Sequence, residues 1–395
     1  MYFGFNYYKS KTLKSSVKSL KNNFRFDIKF LRLKIDIDYY IPTFTNLSDW
    51  NKKPYQTTGG TRAKKIYINK NDEEYFFKAS RELKDGSFKY PTEFWSEIVA
   101  SKIGQWMGFN VLDYNIAYDI ANKQKVGCLS KSMIEYSENK LSEGIDYLRG
   151  FKPKYDPKKE DQYTFEFIKN TFEHFLLESS DVHFVKMLIF DALIGNSDRH
   201  QENWGFISKF KEALESIDKN INEIKNPLKK SYFKFKKTIT KTAIELQNIN
   251  NNETKKISLM SQGLANLSHF SPIYDSGCCL GRELEETKID KMLQNPQMLE
   301  AYVNKGRSEI RINEGAKKPF HFDLLTHLKD EYHFLFYSKK NFFNDNFSEF
   351  GLKKIINNID KNLPPELSTF ALPEKRKEFM IKVITLRMNK LKAIL

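Results

Sequence analysis

Apolar and polar residues alternate along 26–42 (FDIKFLRLKIDIDYYIP), a period of two that predicts one or two strands. Two further β-rich runs, 64–69 (KKIYIN) and 74–80 (EYFFKAS), meet around the turn-forming cluster Asn69-Lys70-Asn71-Asp72 and predict a hairpin. After Pro91 the period changes. Phe94, Trp95, Ile98, Val99, Ile103, Trp106 and Met107 form a helical stripe that stops at Gly108. Residues 111–120 and 126–134 again read as strands, and from about 160 onward the helical pattern dominates, notably over 181–194 (DVHFVKMLIFDALI) and 374–395. A β-rich part with one embedded helix, followed by a mostly helical part, is an α+β, bilobal arrangement. The expected divisions are an extension at 1–42, an N-lobe at 43–135 and a helical C-lobe at 136–395. Within the C-lobe, 208–257 is polar, lysine-rich and closed by NNNET, which predicts a long helical or partly disordered insertion.

The length of 395 residues suits two or three domains or lobes at roughly 100–200 residues each. With 33 Phe, 20 Tyr and 40% hydrophobic residues there is material for a packed core, and no stretch approaches the ~18 consecutive apolar residues of a spanning helix. The basic, aromatic N-terminus lacks the apolar region of a secretory signal, and its lysines do not suit an Arg-rich transit peptide. Cys128, Cys278 and Cys279 are too few and too irregular for a disulfide framework, which predicts a reducing compartment such as the cytoplasm, and they lack the spacing of a zinc site. The formal charge of +15 is concentrated: residues 1–40 and 208–257 each carry a net of +6. Such stretches suit nucleic acid or an anionic membrane, or else a solvated surface with no partner.

Four segments carry candidate chemistry. Asp198-Arg199-His200-Gln201-Glu202-Asn203 follows an apolar helix and the turn Gly195-Asn196-Ser197. An Asp followed five positions later by an Asn is the spacing of a phosphoryl-transfer loop: the Asp accepts the proton of an attacking hydroxyl, and the Asn oxygen ligates Mg²⁺. Alone, the same pattern also describes a polar helix end with a capping Asn. In Tyr274-Asp275-Ser276-Gly277 an Asp at the end of a short apolar run precedes a glycine turn; its carboxylate offers a hard oxygen to a cation, or forms an ordinary Asx turn. Lys78 lies between Phe77 and Ala79 in a β-rich run, where an unpaired ammonium is costly to bury. Glu97 on the following helix is the expected partner, with Glu93 the weaker candidate; an edge lysine reaching for solvent is the alternative. Thr57-Thr58-Gly59-Gly60-Thr61-Arg62-Ala63-Lys64 precedes the hairpin; its glycines let backbone N–H groups approach phosphate, and Lys64 adds positive charge. It is neither G-x-G-x-x-G nor a Walker A sequence. The order of glycine loop, lysine, helix glutamate, D-x-x-x-x-N and D-x-G is that of a kinase, and the set is far more specific than any member.

DALIGNSDRHQENWGF resembles the catalytic segment of the HipA-like Ser/Thr kinases, in which D-R-H-x-x-N replaces the usual H-R-D-x-x-x-x-N. GGTRAKK, YFFKAS, TEFWSEIVASKIGQWMG, GCLSKSM, SPIYDSGCCLGREL and KGRSEIR resemble other blocks of that family, and the likeness covers about 43–395 outside the insertion. The resemblance implies a protein-kinase-like fold with a β-rich N-lobe and a helical C-lobe, using ATP and Mg²⁺. Gly59, Gly60, Thr61, Arg62, Ala63 and Lys64 would cradle the phosphates; Lys78 would touch them and pair with Glu97; Lys131, Ser132 and Met133 would form the adenine hinge. Asp198 would be the catalytic aspartate, His200, Gln201, Glu202, Asn203 and Tyr274 would line the nucleotide site, and Asn203 and Asp275 would hold the metal. Autophosphorylation at Thr57, Thr58 or Thr61 is a further expectation, since family members modify a hydroxyl in this loop. Known members are bacterial toxins of toxin–antitoxin pairs or enzymes acting on host cells, so a protein substrate, an antitoxin-like partner or a host protein is implied, with a cytoplasmic location or delivery to a host cell. The chain departs from the pattern in its basic residues 1–40, in the 77 positions separating Asp198 from Asp275, and in lacking a clear N-terminal subdomain.

Two other readings compete. Phosphoinositide-type lipid kinases also combine D-R-H-x-x-N with D-x-G, and the basic stretches would suit their membrane. A non-catalytic module derived from a kinase could instead use those stretches on nucleic acid, although Lys78, Asp198, Asn203 and Asp275 are all present.

Overall fold

The predicted hairpin is the centre of the N-lobe. In a computed structural model that describes residues 36–53, 64–122, 124–134, 139–177, 179–247 and 268–395, strand β1 is Phe44–Asn46, β2 Asn51–Lys52, β3 Lys65–Ile68 and β4 Glu74–Lys78. Helix α1 (Glu93–Trp106) follows, then β5 (Asn115–Tyr118) and β6 (Val126–Lys131). The six strands form one sheet in the order β1-β5-β6-β4-β3-β2. β4 pairs antiparallel with β3 on one side and β6 on the other, with Lys78 opposite Cys128. Alternation along β4 sends Phe77 into a cluster with Leu47, Tyr67, Ala117 and Leu129 and turns Lys78 to the other face, toward α1.

The C-lobe begins with β7 (Lys140–Glu143), α2 (Gly144–Phe151), α3 (Phe165–His174) and α4 (Ser180–Ile194). Strand β8 (Gly205–Ser208) leads into a helical hairpin, α5 (Phe210–Glu223) and α6 (Pro227–Gln247), and β9 (Ser268–Phe270) follows. β7, β8 and β9 make a small antiparallel sheet. The remaining helices are α7 (Glu286–Gln294), α8 (Pro296–Asn304), α9 (His321–Leu328), α10 (His333–Asn346), α11 (Glu349–Asn357) and α12 (Glu374–Ile394). The curled sheet with its one helix and the helical second part constitute a kinase-like bilobal fold.

Much of the aromatic content packs beneath the small sheet. Phe172, Phe184, Phe206 and Phe270 surround Trp204, which lies parallel to Phe270 and edge-on to the other three. Gly144 permits this packing: a Cβ there would stand 2.3 Å from the Trp204 ring. Helix α4 crosses the interior with Phe184, Val185, Leu188, Ile189 and Ala192 fully or nearly buried, so the segment that follows it starts from a rigid element.

One predicted element is corrected. Of 26–42, the described residues hold no strand: Ile37–Tyr40 is a 3-10 turn. Asp36 causes it, because its side chain accepts from the Asp38 N–H and its carbonyl from the Tyr39 N–H, a local arrangement that competes with strand pairing. Residues 26–35, the glycine-loop residues Thr57 to Ala63, and 248–257 of the insertion lie outside the described residues. The described part of the insertion is helical, as the α5–α6 hairpin.

His321 is buried at the start of α9, its ordinary pKa of 6.5 lowered to about 3 by burial and then by the Arg387 charge. The unfolded chain therefore takes up a proton that the folded chain refuses between those values. This contribution to stability is complete above about pH 6.5 and is lost on acidification, at up to about 1.4 kcal/mol per pH unit. His321→Asn is expected to flatten the fall in urea midpoint between pH 7 and pH 5; an unchanged slope would show that other groups govern acid sensitivity.

Candidate functional site

Lys78 ends β4 with its ammonium buried between two carboxylates. Its Nζ is 3.1 Å from Glu97 Oε2 on α1, and it also hydrogen-bonds Asp275 Oδ1. Glu97 is almost fully buried and its second oxygen accepts the Ser276 N–H at 2.8 Å. One helix carboxylate thus fixes both the strand lysine and the backbone after Asp275. Glu93, the weaker partner candidate, bonds Arg282 instead. Lys64 stands just before β3 with its Nζ 3.6 Å from Asp275 Oδ2, so Asp275 faces two cations.

Asp275 itself has a positive φ of 53°, uncommon for a side-chain-bearing residue. It follows Ile273, which pairs with Asn110 and Leu112 beyond the end of α1 by backbone hydrogen bonds of 2.8 Å each. These bonds anchor the Asp275 turn to the N-lobe.

The second half of the site lies between α4 and β8. Gly195 ends α4 in the left-handed conformation, with φ of 70°, and a Cβ at this position would meet the Arg387 guanidinium at 2.8 Å. The chain then curls through Asp198 to Asn203. Asn203 Nδ2 donates to the Asp198 carbonyl at 2.6 Å, which closes the loop and directs Asn203 Oδ1 away from that bond. Cys278 holds Asp198 from the other side: its thiol lies 2.9 Å from Asp198 Oδ2, and its carbonyl accepts the Ser197 N–H at 3.2 Å.

Arg199 joins the two halves and is 1% exposed. It clamps Asp191 on α4 through Nε at 2.9 Å and Nη2 at 2.8 Å. Its Nη1 donates to the carbonyls of Asn203 at 2.8 Å and Tyr274 at 2.6 Å, and Nη2 also reaches Ser276 Oγ at 3.1 Å. Burial would lower its pKa, but the Asp191 charge and hydrogen bonds more than offset this and raise it. Tyr163 OH supports the Arg199 carbonyl and accepts from Trp204 Nε1, which ties the loop to the aromatic core.

The other predicted residues fall around this centre. His200 Nδ1 accepts the Glu202 N–H at 3.3 Å, and the Glu202 carbonyl accepts the Tyr274 hydroxyl at 3.0 Å. The Gln201 carbonyl accepts the Ile145 N–H at 2.9 Å and so joins the loop to α2. At the lobe connection, Ser132 N–H donates to the Glu74 carbonyl, and Met133 follows. Lys131 is turned to the sheet surface, where it pairs with Glu73 at 2.6 Å. Glu143, at the end of β7, is pushed up to about 7 by burial and by the negative charges of Asp146 and Glu202. Lys64 opposes that shift. Asp275 therefore lies near the Glu143 carboxylate while the ammoniums of Lys64 and Lys78 face it.

No motif or spacing in the sequence marks Asp191 or Cys278 as part of the site, and Arg199 stands out only as part of the Asp198–Asn203 motif. Asp191 did leave a signal: it is the sole charged residue in MLIFDALI of a buried helix, where a carboxylate requires a partner. The Cys278–Asp198 contact spans 80 positions, and nothing local marks it.

No protein-family model and no curated protein matches the sequence. Among solved structures, the crystal structure of a Helicobacter pylori proinflammatory kinase, CtkA, is similar in fold, with a TM-score of 0.61 at 18% identity. The likeness covers 89% of this chain and 97% of that one.

Proposed function

We propose that this chain is a HipA-like protein kinase that transfers the γ-phosphoryl group of ATP to a serine or threonine hydroxyl. The observation that carries the reading is the convergence of Glu97 and Asp275 on Lys78, with Arg199 binding that cluster to the loop of Asp198 and Asn203. The fold shared with a kinase supports it.

The donor set suits the reactants. Asn203 Oδ1 and the Asp275 carboxylate are hard oxygen donors of the kind Mg²⁺ takes, and Lys64 and Lys78 supply cations for phosphate oxygens. When bound, Mg²⁺ would neutralise and orient the phosphates, with Asn203 and Asp275 as the residues that hold it. Lys78, oriented by Glu97, binds the phosphates, and the backbone of Ser132 and Met133 receives the base. Asp198 then positions the substrate hydroxyl. With Oδ2 held by Cys278, Oδ1 is the oxygen that takes the proton as the hydroxyl oxygen bonds to the γ-phosphorus and the bond to the β-phosphate oxygen breaks. ADP leaves with the electron pair of that bond. A hydroxyl at Thr57, Thr58 or Thr61 is a candidate acceptor in the chain itself, and a dianionic phosphate there would repel incoming ATP.

Asp275→Ala tests the assignment of the metal side. Thermal stabilisation by ATP should lose its Mg²⁺ dependence, with Mg²⁺-ATP affinity falling about tenfold or more, as should occur for Asn203→Ala. An Mg²⁺-dependent shift of undiminished size in Asp275→Ala would remove that residue from the metal site.

A further inference from the structure

Helix α6 presents its apolar side to solvent. Leu228, Tyr232 and Phe235 are 82%, 61% and 66% exposed. Their spacing of four and three residues places them on one line along the helix. The opposite side, with half-buried Phe233 and buried Thr240, faces α5, and Lys237 pairs across to Asp218 there. At 100° per residue, Lys229 and Lys236 lie about 75–95° from the exposed ridge on one side; on the other side Ser231 and Thr238 flank it, with Lys234 and Lys241 further round, about 125–145° away. From Leu228 to Lys241 there are six lysines and no acidic residue. The hairpin that carries this ridge is inserted between β8 and β9, the strands beside Asn203 and Asp275.

We propose that the outer face of α6 is a docking surface for an anionic phospholipid bilayer. An apolar ridge on a helix whose charges from Leu228 to Lys241 are all cationic matches the layering of such a surface, in which acyl chains lie beneath a sheet of negative headgroups. A lysine such as Lys229 can lay its aliphatic stem against the lipid while its ammonium reaches the headgroups. The most exposed member of the ridge, Leu228, is aliphatic. It has no ring face on which a nucleobase could stack, and burying it needs an apolar phase that a nucleic-acid backbone does not offer. The tyrosine, with its apolar ring and polar hydroxyl, settles at a lipid–water boundary, and the phenylalanine can bury in the acyl layer beneath it. The outcome is a kinase-like domain held at a membrane surface by an element distinct from its cleft, whatever the chemistry in that cleft.

The test is sedimentation of the full chain with vesicles of phosphatidylserine and phosphatidylcholine, and with phosphatidylcholine alone. The wild type should bind the anionic vesicles at least tenfold more strongly than the neutral ones. Replacing Leu228, Tyr232 and Phe235 together by serine should lower binding to anionic vesicles tenfold or more, and Lys229→Glu with Lys234→Glu should do the same. Because all these side chains are exposed, thermal unfolding should be unchanged, which separates lost docking from lost folding. No binding to anionic vesicles, or undiminished binding by the serine variant, would overturn the proposal. It would also be overturned if a single-stranded RNA oligonucleotide or polyglutamate bound at least as tightly as the vesicles, with a dependence on the lysines and none on the ridge.

Discussion

Asp198→Ala is expected to reduce phosphoryl transfer by a factor of about 10²–10⁴ while leaving ATP affinity nearly unchanged. The asymmetry follows from what the residue touches. Its carboxylate meets the Cys278 thiol, whereas the contact that shapes the loop, from Asn203 Nδ2, is made to the Asp198 backbone carbonyl. Alanine keeps that carbonyl, so Asn203 and Arg199 should retain their positions and, with them, the proposed nucleotide site. What is lost is the group proposed to orient the incoming hydroxyl and take its proton. Single-turnover transfer of labelled phosphate, beside an ATP titration by thermal shift, separates the two effects. A variant that keeps most of its turnover would displace Asp198 from the role.

The second large effect concerns Arg199. Arg199→Met leaves Asp191 buried and uncompensated, at an expected cost of about 3–5 kcal/mol in unfolding free energy. Adding Asp191→Leu removes the stranded charge, so the double variant should recover much of that stability. It should not recover activity, because the carbonyls of Asn203 and Tyr274 still lack the guanidinium that joins the Asp198–Asn203 loop to the Asp275 turn. Urea denaturation of the single and double variants, read beside the transfer rate, tests both halves. Equal stability of the two variants would mean that the ion pair does not control folding.

The elements legible in the sequence were those whose period runs long enough to be read. Helices α1 and α12 each show an apolar repeat over several turns, α4 is a long and nearly unbroken apolar run, and the β3–β4 hairpin has a turn cluster between two β-rich runs. Strands β8 and β9, at four and three residues, are too short to display alternation and lie within a stretch dominated by helices. At 36–42 alternation misled, because Asp36 uses its side chain to fold the backbone into a turn.

In the candidate site, Lys78, Glu97, Asp198, Asn203 and Asp275 were legible as residue types whose chemistry demands a partner. Their supports were not. Arg199 and Asp191 face each other only because α4 ends at Gly195 and the chain doubles back, and Arg282 claims Glu93 from 189 positions away. Alternation and spacing describe neighbours along the chain; these contacts depend on tertiary packing.

The most direct test of the central claim is incubation of the purified full chain with Mg²⁺ and γ-labelled ATP, offering a generic protein substrate in one arm and phosphoinositide vesicles in another. Label is expected on protein, either the chain itself or the added substrate, on Ser or Thr, and absent when Mg²⁺ is chelated or Asp198 is alanine. Label confined to lipid, or folded chain that transfers no phosphate in either arm, would contradict the account.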